Sequence, residues 1–493
     1  MRILFVSAEL TPLAKVGGLA DVVGSLPKAL KELGIDVRVA MPKYEIIDEK
    51  KYQMKLLKEK IPVKVGPGQE FVNIYETKIP KSEVPIYLID NLKYLGKDGV
   101  YPADHREEVF RFSFFSKAIL EIFSALGWTP EVLHCHDWHV GILPGLLKIR
   151  ANESSKSEEI KTVFTVHNLA MQGLWSRKEV LDFLSISGNE TSSLKVRQPG
   201  SYGENINLIQ QGILGADFVT TVSPTYAKEI ANRAYQAWGL METIKSRQEN
   251  FIGILNGIDT DYFDPSTDLY IETQYSSKKI KKKIENKLAL QREMGLFESE
   301  FLPLFGMVAR LTFQKGVDIL TEITDKILEL GAQFVFLGTG EKRLENMLLR
   351  VAGKNHRKVA TVIKFDSVLA QKIYAGSDFF LMPSKFEPCG LGQLIAMRYG
   401  TIPIVRATGG LKDTVKSVIY RKREFGEKRV EGEGFIFKGY SSDKLLKTMK
   451  RALEVYRDKI AWQTLQRHIM EKDFSWAVSA KKYIELYKKL IKR

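Results

Sequence analysis

Ile3-Leu4-Phe5-Val6 followed by Lys15-Val16-Gly17-Gly18-Leu19, and far downstream Leu304-Phe305-Gly306-Met307-Val308-Ala309 followed by Arg310-Leu311-Thr312-Phe313-Gln314-Lys315-Gly316, are two versions of one pattern. A short apolar run reads as a buried strand. A glycine-bearing turn with a cation directly after it reads as the entrance to a helix whose N–H groups face an anion. Two such openings predict an α/β chain of two doubly wound, Rossmann-like domains facing a deep interdomain cleft, with cations from both directed at a diphosphate.

Outward from these turns the alternation continues. Candidate strands at 3–6, 36–40, 85–89, 132–134, 162–166 and 218–222 are interleaved with helical patterns, among them an amphipathic stretch over 107–126. The pattern restarts with strands at 305–309, 334–337, 361–363, 379–382 and 402–405, and helices are expected over 318–330 and 369–375. Such alternation predicts parallel sheets with crossover helices. The break falls near 247–259, where Asn256-Gly257 marks a turn. We therefore expect a first domain over 1–248, a second over 249–473, and a C-terminal helix within 474–493 that returns to the first. Residues 418–434, rich in Arg, Lys, Glu and Gly, are expected to form an exposed excursion.

With 493 residues, 44% of them hydrophobic and 27% charged, the chain can bury sizeable cores. Nothing at the N-terminus has the pattern of a signal peptide, and no stretch approaches the roughly 18 uninterrupted apolar residues of a membrane span. Cys135 and Cys389 are the only cysteines, which argues for a reducing cytoplasm rather than a disulfide scaffold. The net charge of +15 raises the question of nucleic acid. The basic residues are interspersed with acidic ones, however, and the densest run, Lys278-Lys279-Ile280-Lys281-Lys282-Lys283, continues into Ile284-Glu285 in helical register. It is expected to be a solvated helix face, and neither nucleic acid nor membrane is expected as a partner.

The residues that could carry chemistry sit where strands end. Lys15, Gly17, Gly18 and Asp21 occupy the first turn. His134-Cys135-His136-Asp137-Trp138-His139 holds three histidines, but no second Cys/His cluster completes a zinc shell, so Asp137 is expected to line a cleft while its neighbours pack. His167 and Asn168 end another strand. Departure of a phosphate requires either a metal or fixed cations, and Arg310 with Lys315 can supply the latter. Asp259-Thr260-Asp261 matches a metal-binding pattern but follows a turn, and is read as capping. Phe386-Glu387-Pro388-Cys389-Gly390-Leu391-Gly392 offers a carboxylate for sugar hydroxyls beside a helix N-terminus, and Thr408-Gly409-Gly410-Leu411 repeats the device one strand later. Together these point to a transferase acting on a nucleotide sugar.

At these residues the chain resembles the bacterial glycogen synthases and plant starch synthases, retaining glucan synthases of the two-Rossmann-domain (GT-B) type. The likeness runs through Lys15–Asp21, His136-Asp137-Trp138-His139, Thr165-Val166-His167-Asn168-Leu169, Arg310 with Lys315, Phe386–Leu391 and Thr408–Thr414, and covers nearly the whole chain. It implies a cytoplasmic enzyme that moves glucose from ADP-glucose to the non-reducing end of an α-1,4-glucan, with retention and without a metal or other cofactor. Carried over by position, Arg310 and Lys315 hold the diphosphate, and Lys15 and Gly18 approach it from the first domain. Glu387 binds glucose hydroxyls, with Cys389, Gly390 and Leu391 lining its turn. His167 and Asn256 border the glucose pocket, and Asp21 and Asp137 lie near the acceptor and reacting centre. Phe365 faces the adenine where many members have tyrosine. Val16, Met171 and Gly392 stand where threonine, tyrosine and threonine are common. An open cleft that binds donor and glucan end and then closes by hinge motion near 247–259 is expected. With no obvious nucleophile on the β face, front-face displacement is expected, and a covalent route through a carboxylate such as Asp137 is its rival.

Overall fold

Ile3, Leu4, Phe5 and Val6 are each at most 1% exposed, so the strand they form needs cover on both faces, as in a parallel sheet flanked by helices. The computed structural model describes residues 1–97, 99–153, 160–187, 190, 194, 204–422 and 428–492. It resolves into two units, Met1–Gly257 with Trp476–Arg493, and Ile258–Ser475.

The strands of the first unit are β1 (Arg2–Val6), β2 (Asp36–Pro42), β3 (Lys55–Val65), β4 (Gly68–Lys78), β5 (Pro85–Asp90), β6 (Val132–His136), β7 (Lys161–Val166), a small pair β8 (Leu174–Ser176) and β9 (Asn205–Asn207), β10 (Phe218–Thr221) and β11 (Phe251–Gly253). Nine of these make one sheet in the order β11-β10-β7-β6-β1-β2-β5-β4-β3. It is parallel from β11 to β5 and closed at one edge by the antiparallel β3–β4 hairpin. From β1 the chain winds outward through β2 and β5, and from β6 it winds the other way. The strand order therefore reverses between β1 and β6, the position at which open α/β sheets hold ligands. The helix His105–Leu126 feeds β6. It is capped by Asp104, whose side chain accepts from the N–H groups of Arg106 and Glu107, and it ends at Gly127 in the left-handed region (φ 58°).

The second unit contains β12 (Leu304–Val308), β13 (Gln333–Leu337), β14 (Val359–Val362), β15 (Phe379–Met382), β16 (Ile402–Arg406), the antiparallel pair β17 (Ile419–Lys422) and β18 (Lys428–Glu431), and β19 (Phe435–Phe437). Its six-stranded sheet has the order β14-β13-β12-β15-β16-β19 and is parallel throughout. Here the order reverses between β12 and β15.

Several expectations need correction. The units divide at Gly257/Ile258 and Ser475/Trp476, not at 248/249 and 473/474, because β11 pairs with β10 and so belongs to the first sheet. The helix Ala477–Ile491 packs Ala480, Tyr483, Leu486, Tyr487 and Leu490 into the core of the first unit. The β3–β4 hairpin was not anticipated. Most of β3 is exposed, so it carries no apolar run, although Gly66-Pro67-Gly68 marks its turn. The helix expected over 318–330 breaks into Val317–Thr321 and Thr324–Leu328. Thr321 and Thr324 turn their hydroxyls back onto the carbonyls of Asp318 and Leu320, the kind of back-bonding that bends helices. In the stretch 418–434, β17 and β18 form a hairpin, and residues 423–427 lie outside the described residues.

The lysine run is only partly a solvated face. Lys278, Lys279, Lys281 and Lys282 are exposed, whereas Lys283 is buried at the start of the helix Lys283–Glu293. Its ammonium donates to the carbonyls of Tyr374 and Ala375 and to Thr401 Oγ1 (3.2, 2.6 and 2.7 Å), capping the C-terminal turn of the helix Ser367–Gly376. One turn on, Lys287 pairs with Asp378 at 2.7 Å in the interior. Charge spacing alone did not distinguish these two inward positions.

Candidate active site

Both sheets carry candidate residues beyond the carboxyl ends of their strands: Lys15 and Asp137 follow the strands that flank the first reversal of order, Lys315 and Glu387 those that flank the second, and the others follow strands further out. In the first unit, the segment after β1 is pinned before it reaches the glycines. Tyr44 donates its hydroxyl to the Ala8 carbonyl (2.8 Å), and Ser7 and Glu9 exchange two hydrogen bonds. The helix Gly18–Glu32 then starts with Gly17 in its N-cap position. Lys15 Nζ lies 2.6 Å from Asp21 Oδ1, both partly exposed. The first turn does not leave all its amides to an external anion. Glu9, 3% exposed, accepts from the N–H groups of Val16 and Gly17 through Oε2, each at 2.7 Å. Sequence reading missed Glu9, because a lone glutamate in a strand-to-helix segment carries no signal until the chain folds back on it.

Asp137 follows β6 with φ 59°, in the left-handed region that a non-glycine residue seldom occupies. The conformation turns its carboxylate toward the end of β7. There Oδ1 accepts from the N–H groups of His167 (2.7 Å) and Asn168 (3.4 Å). Burial pushes its carboxyl up to about 7, against the pull of the two amides. The unfolded chain releases this proton from about pH 4, while the folded chain keeps it until pH approaches 7, so stability from this residue is lost as pH rises across that interval. Asn at position 137 keeps the accepting oxygen and cannot titrate. The melting temperature of Asp137→Asn relative to the unaltered chain is expected to climb by a few degrees between pH 4 and 7 and stay level above. A difference that does not vary with pH would count against a buried, proton-bearing Asp137.

The histidines of the motif pack rather than ligate. His134 and His136 project from the same face of β6 with rings 4.2 Å apart, and Phe5 stacks on His136 at 5.0 Å. His134 is satisfied by Tyr487 Oη (2.7 Å) and Thr165 Oγ1 (2.6 Å). His136 Nδ1 meets His167 Nε2 at 3.0 Å, and its own Nε2 is sealed without a partner among the described residues. Burial lowers both rings well below the usual imidazole value, His167 to about 3, so each is neutral. The arrangement without an orphaned buried N–H has His136 Nδ1–H donating to His167, which leaves His167 presenting an N–H at Nδ1. Trp138 is buried against Gly173, where a Cβ would come 2.2 Å from the indole. Asn256 is 8% exposed and its Oδ1 has no partner among the described residues, the kind of buried acceptor that needs an explanation.

In the second unit, Lys315 and Glu387 are brought together. Lys315 Nζ lies 3.0 and 2.7 Å from the two carboxylate oxygens, and the Ser384 hydroxyl donates to the same carboxylate at 2.9 Å. The two turns are laced by backbone. Lys385 N–H donates to Gln314 O (2.7 Å) and the Gln314 side chain donates to Phe386 O (3.0 Å). Gly316 sits at φ 75° with the Pro383 carbonyl 2.3 Å from where a Cβ would stand, so only glycine fits beneath the lysine. Arg406, buried, donates to Ser384 O at 2.7 Å and to Lys385 O, and was not foreseen. Gly409 and Gly410 pass so close to Glu387 and Cys389 that side chains would collide with their carbonyls. Thr408 and Cys389 are buried within this cluster. Gly390 turns at φ 73°, and Gln393 donates to its carbonyl at 2.8 Å. At Gly392 a Cβ would approach Phe380 to 2.9 Å, which explains the missing threonine. Arg310 is exposed; its carbonyl accepts from Thr312 N–H at 2.9 Å, and its guanidinium has no ion-pair or hydrogen-bond partner among the described residues. Phe365 is 67% exposed after β14 and joins none of these contacts.

Asp259 accepts from the N–H groups of Asp261 and Tyr262 (3.2 and 3.0 Å), so the Asp-Thr-Asp element caps its own turn. Among the described residues no three His, Cys, Asp or Glu side chains are grouped as a metal site requires, and no helix is long and apolar enough to cross a membrane.

Comparison with known proteins follows the same division. The family described as "Starch synthase catalytic domain" matches residues 2–246, and that described as "Glycosyl transferases group 1" matches 296–464. The glycogen synthase of Bacillus cereus (strain B4264) is 42% identical over 493 residues, covering 100% of both chains. Among solved structures, the catalytic domain of starch synthase IV from Arabidopsis thaliana, bound to ADP and acarbose, is 35% identical with a TM-score of 0.91 over 100% of this chain and 99% of that one. Sucrose-phosphate synthase from Thermosynechococcus elongatus, at 16% identity and a TM-score of 0.59 over 100% of this chain and 99% of its own, shares the fold.

Proposed function

The chain belongs to the glycogen and starch synthase family of glycosyltransferases, and we propose that it extends an α-1,4-glucan at its non-reducing end with glucose from ADP-glucose. Transfer proceeds with retention and without a metal ion, in the cytoplasm, where its two buried free cysteines stay reduced. The observation that carries this reading is the pairing of Lys315 with Glu387 beyond β12 and β15, with the exposed side chain of Arg310 on the same turn as the lysine. Two fixed cations can stabilise the charge that builds on a departing diphosphate, the role a metal plays elsewhere. Glu387 orients the lysine and offers its other acceptor sites to glucose hydroxyls.

In the first unit, His167 and Asn256 border the glucose pocket. His167, donating from Nδ1, and Asn256, with its unfilled Oδ1, complement sugar hydroxyls, which both donate and accept. Asp137 supports front-face displacement rather than a covalent route. Its carboxyl keeps its proton to near neutrality and one oxygen braces two backbone amides, and a protonated, braced carboxyl is a poor nucleophile. In front-face displacement the bond from the anomeric carbon to the phosphate oxygen breaks as the acceptor oxygen bonds on the same face. The acceptor proton passes to the leaving phosphate.

The test measures nucleotide release from ADP-glucose and from UDP-glucose, with and without glycogen, in EDTA. Release from ADP-glucose that depends on glycogen and persists in EDTA is the expected result. Strict dependence on an added divalent metal would return Asp259 and Asp261 to the site.

A further inference from the structure

The first glycine turn is organised by a buried polar chain whose members none of the chemistry above uses. Glu9 Oε2 holds the N–H groups of Val16 and Gly17 at 2.7 Å each. Its Oε1 accepts from the Tyr101 hydroxyl. Tyr101 stacks on His139 (centroids 5.2 Å apart, 22° between planes) and closes a loop whose carbonyls converge on one buried guanidinium. Arg111 donates to Tyr94 O (3.1 Å), Gly99 O (2.7 Å), Val100 O (3.0 Å) and Lys97 O. Burial and the neighbouring Glu9 raise the Tyr101 phenol well above its ordinary value, so it stays a donor.

We propose that Glu9 is the positioning residue of this turn, an internal anion that fills the Val16 and Gly17 amides and so directs an incoming phosphate to Lys15 and Gly18. Two adjacent N–H groups before a helix are where an external anion would otherwise dock. With a carboxylate already there, the turn is held open in one shape instead of collapsing onto each new ligand. The ligand's negative charge must then be met by Lys15, which exchanges Asp21 for phosphate. Tyr101 orients the carboxylate, and Arg111 holds the loop that carries Tyr101. This assignment rests on the reading that the first turn approaches the donor diphosphate.

The test uses the full chain with Glu9→Ala, Glu9→Gln and Tyr101→Phe. Amide hydrogen exchange of the segment containing Val16 and Gly17 is measured without substrate, and donor kinetics and ADP affinity are measured separately. Removing the carboxylate is expected to speed exchange at these amides and to lower kcat/KM for the donor about tenfold, chiefly through KM. Glu9→Gln keeps an oxygen for both amides and is expected to recover most of both effects, with Tyr101→Phe intermediate. Unchanged exchange in Glu9→Ala overturns the assignment. So does tighter ADP binding in that variant, which would mean that the freed amides are themselves the phosphate site. If the unaltered chain releases no ADP in the presence of glucan, the functional reading falls on its own, because the exchange comparison needs no substrate.

Discussion

Lys315→Ala is expected to lower kcat by about two to three orders of magnitude, since one preorganised donor to a developing anion is worth about 3–4 kcal/mol in the transition state. The substitution also strips Glu387, buried to 5% exposure, of its cation. Part of any loss could therefore arise from an uncompensated carboxylate, which is costly in its own right. The two causes separate in a double-mutant cycle. Lys315→Ala with Glu387→Gln removes both charges and relieves the orphaned carboxylate, so it should recover stability while turnover stays low. Recovery of turnover in the double variant would show that Lys315 only neutralises Glu387. Lys315→Arg should also be poor: a guanidinium can grip the carboxylate with two N–H groups, but it is bulkier than the compact ammonium that sits 3.0 and 2.7 Å from the two oxygens and would displace the charge from that point.

Gly409→Ala is expected to destabilise the second unit by about 2–4 kcal/mol and to disable the site with it. Gly409 has φ 44°, and a Cβ there would lie 1.8 Å from the Glu387 carbonyl oxygen and 3.2 Å from that of Pro388. Neither carbonyl can simply move away, because both accept from Gly410 N–H, at 3.2 and 3.1 Å. The backbone that aims Glu387 must shift, and Lys315 loses its partner's geometry. Gly353 is the control. It lies in the helix Lys342–Lys354 with nothing within 4 Å of an added Cβ, so Gly353→Ala should gain about 0.5–1 kcal/mol from helix propensity. Thermal melts and activity of the two variants check both directions. Equal behaviour of Gly409→Ala and Gly353→Ala would sink the argument from close approach.

Much of the framework was legible in the chain. The inner strands are short, fully buried apolar runs, and a parallel sheet covered on both faces writes itself into sequence in that form. The outer hairpin β3–β4 was not, since an edge strand open to solvent needs no apolar face. Three-residue strands such as β11 and β19 are too short to leave a period, and the domain boundary was misplaced for that reason. Within the site, Asp137, His167, Lys315 and Glu387 stood out because unusual polar residues sit where apolar runs end. Glu9, Tyr101, Arg111 and Arg406 did not: Glu9, Arg111 and Arg406 act on backbone groups and Tyr101 on the Glu9 carboxylate, and none of these pairings leaves a motif in the sequence.

By itself the sequence determined the two α/β units, the positions of the chemical groups at strand ends and the family to which they belong. Local periodicity and motif spacing are properties of contiguous residues, and they survive without knowledge of what packs on what. Tertiary structure alone decided how those groups are used before any ligand arrives. The first glycine turn, which looked like a vacant anion site, is partly filled by Glu9, and the downstream lysine is matched to Glu387. Both facts depend on which carboxylate the folded chain brings to which donor, and carboxylates of the same type elsewhere in the chain give no hint of it. A buried charge must find a partner; only the fold says which one.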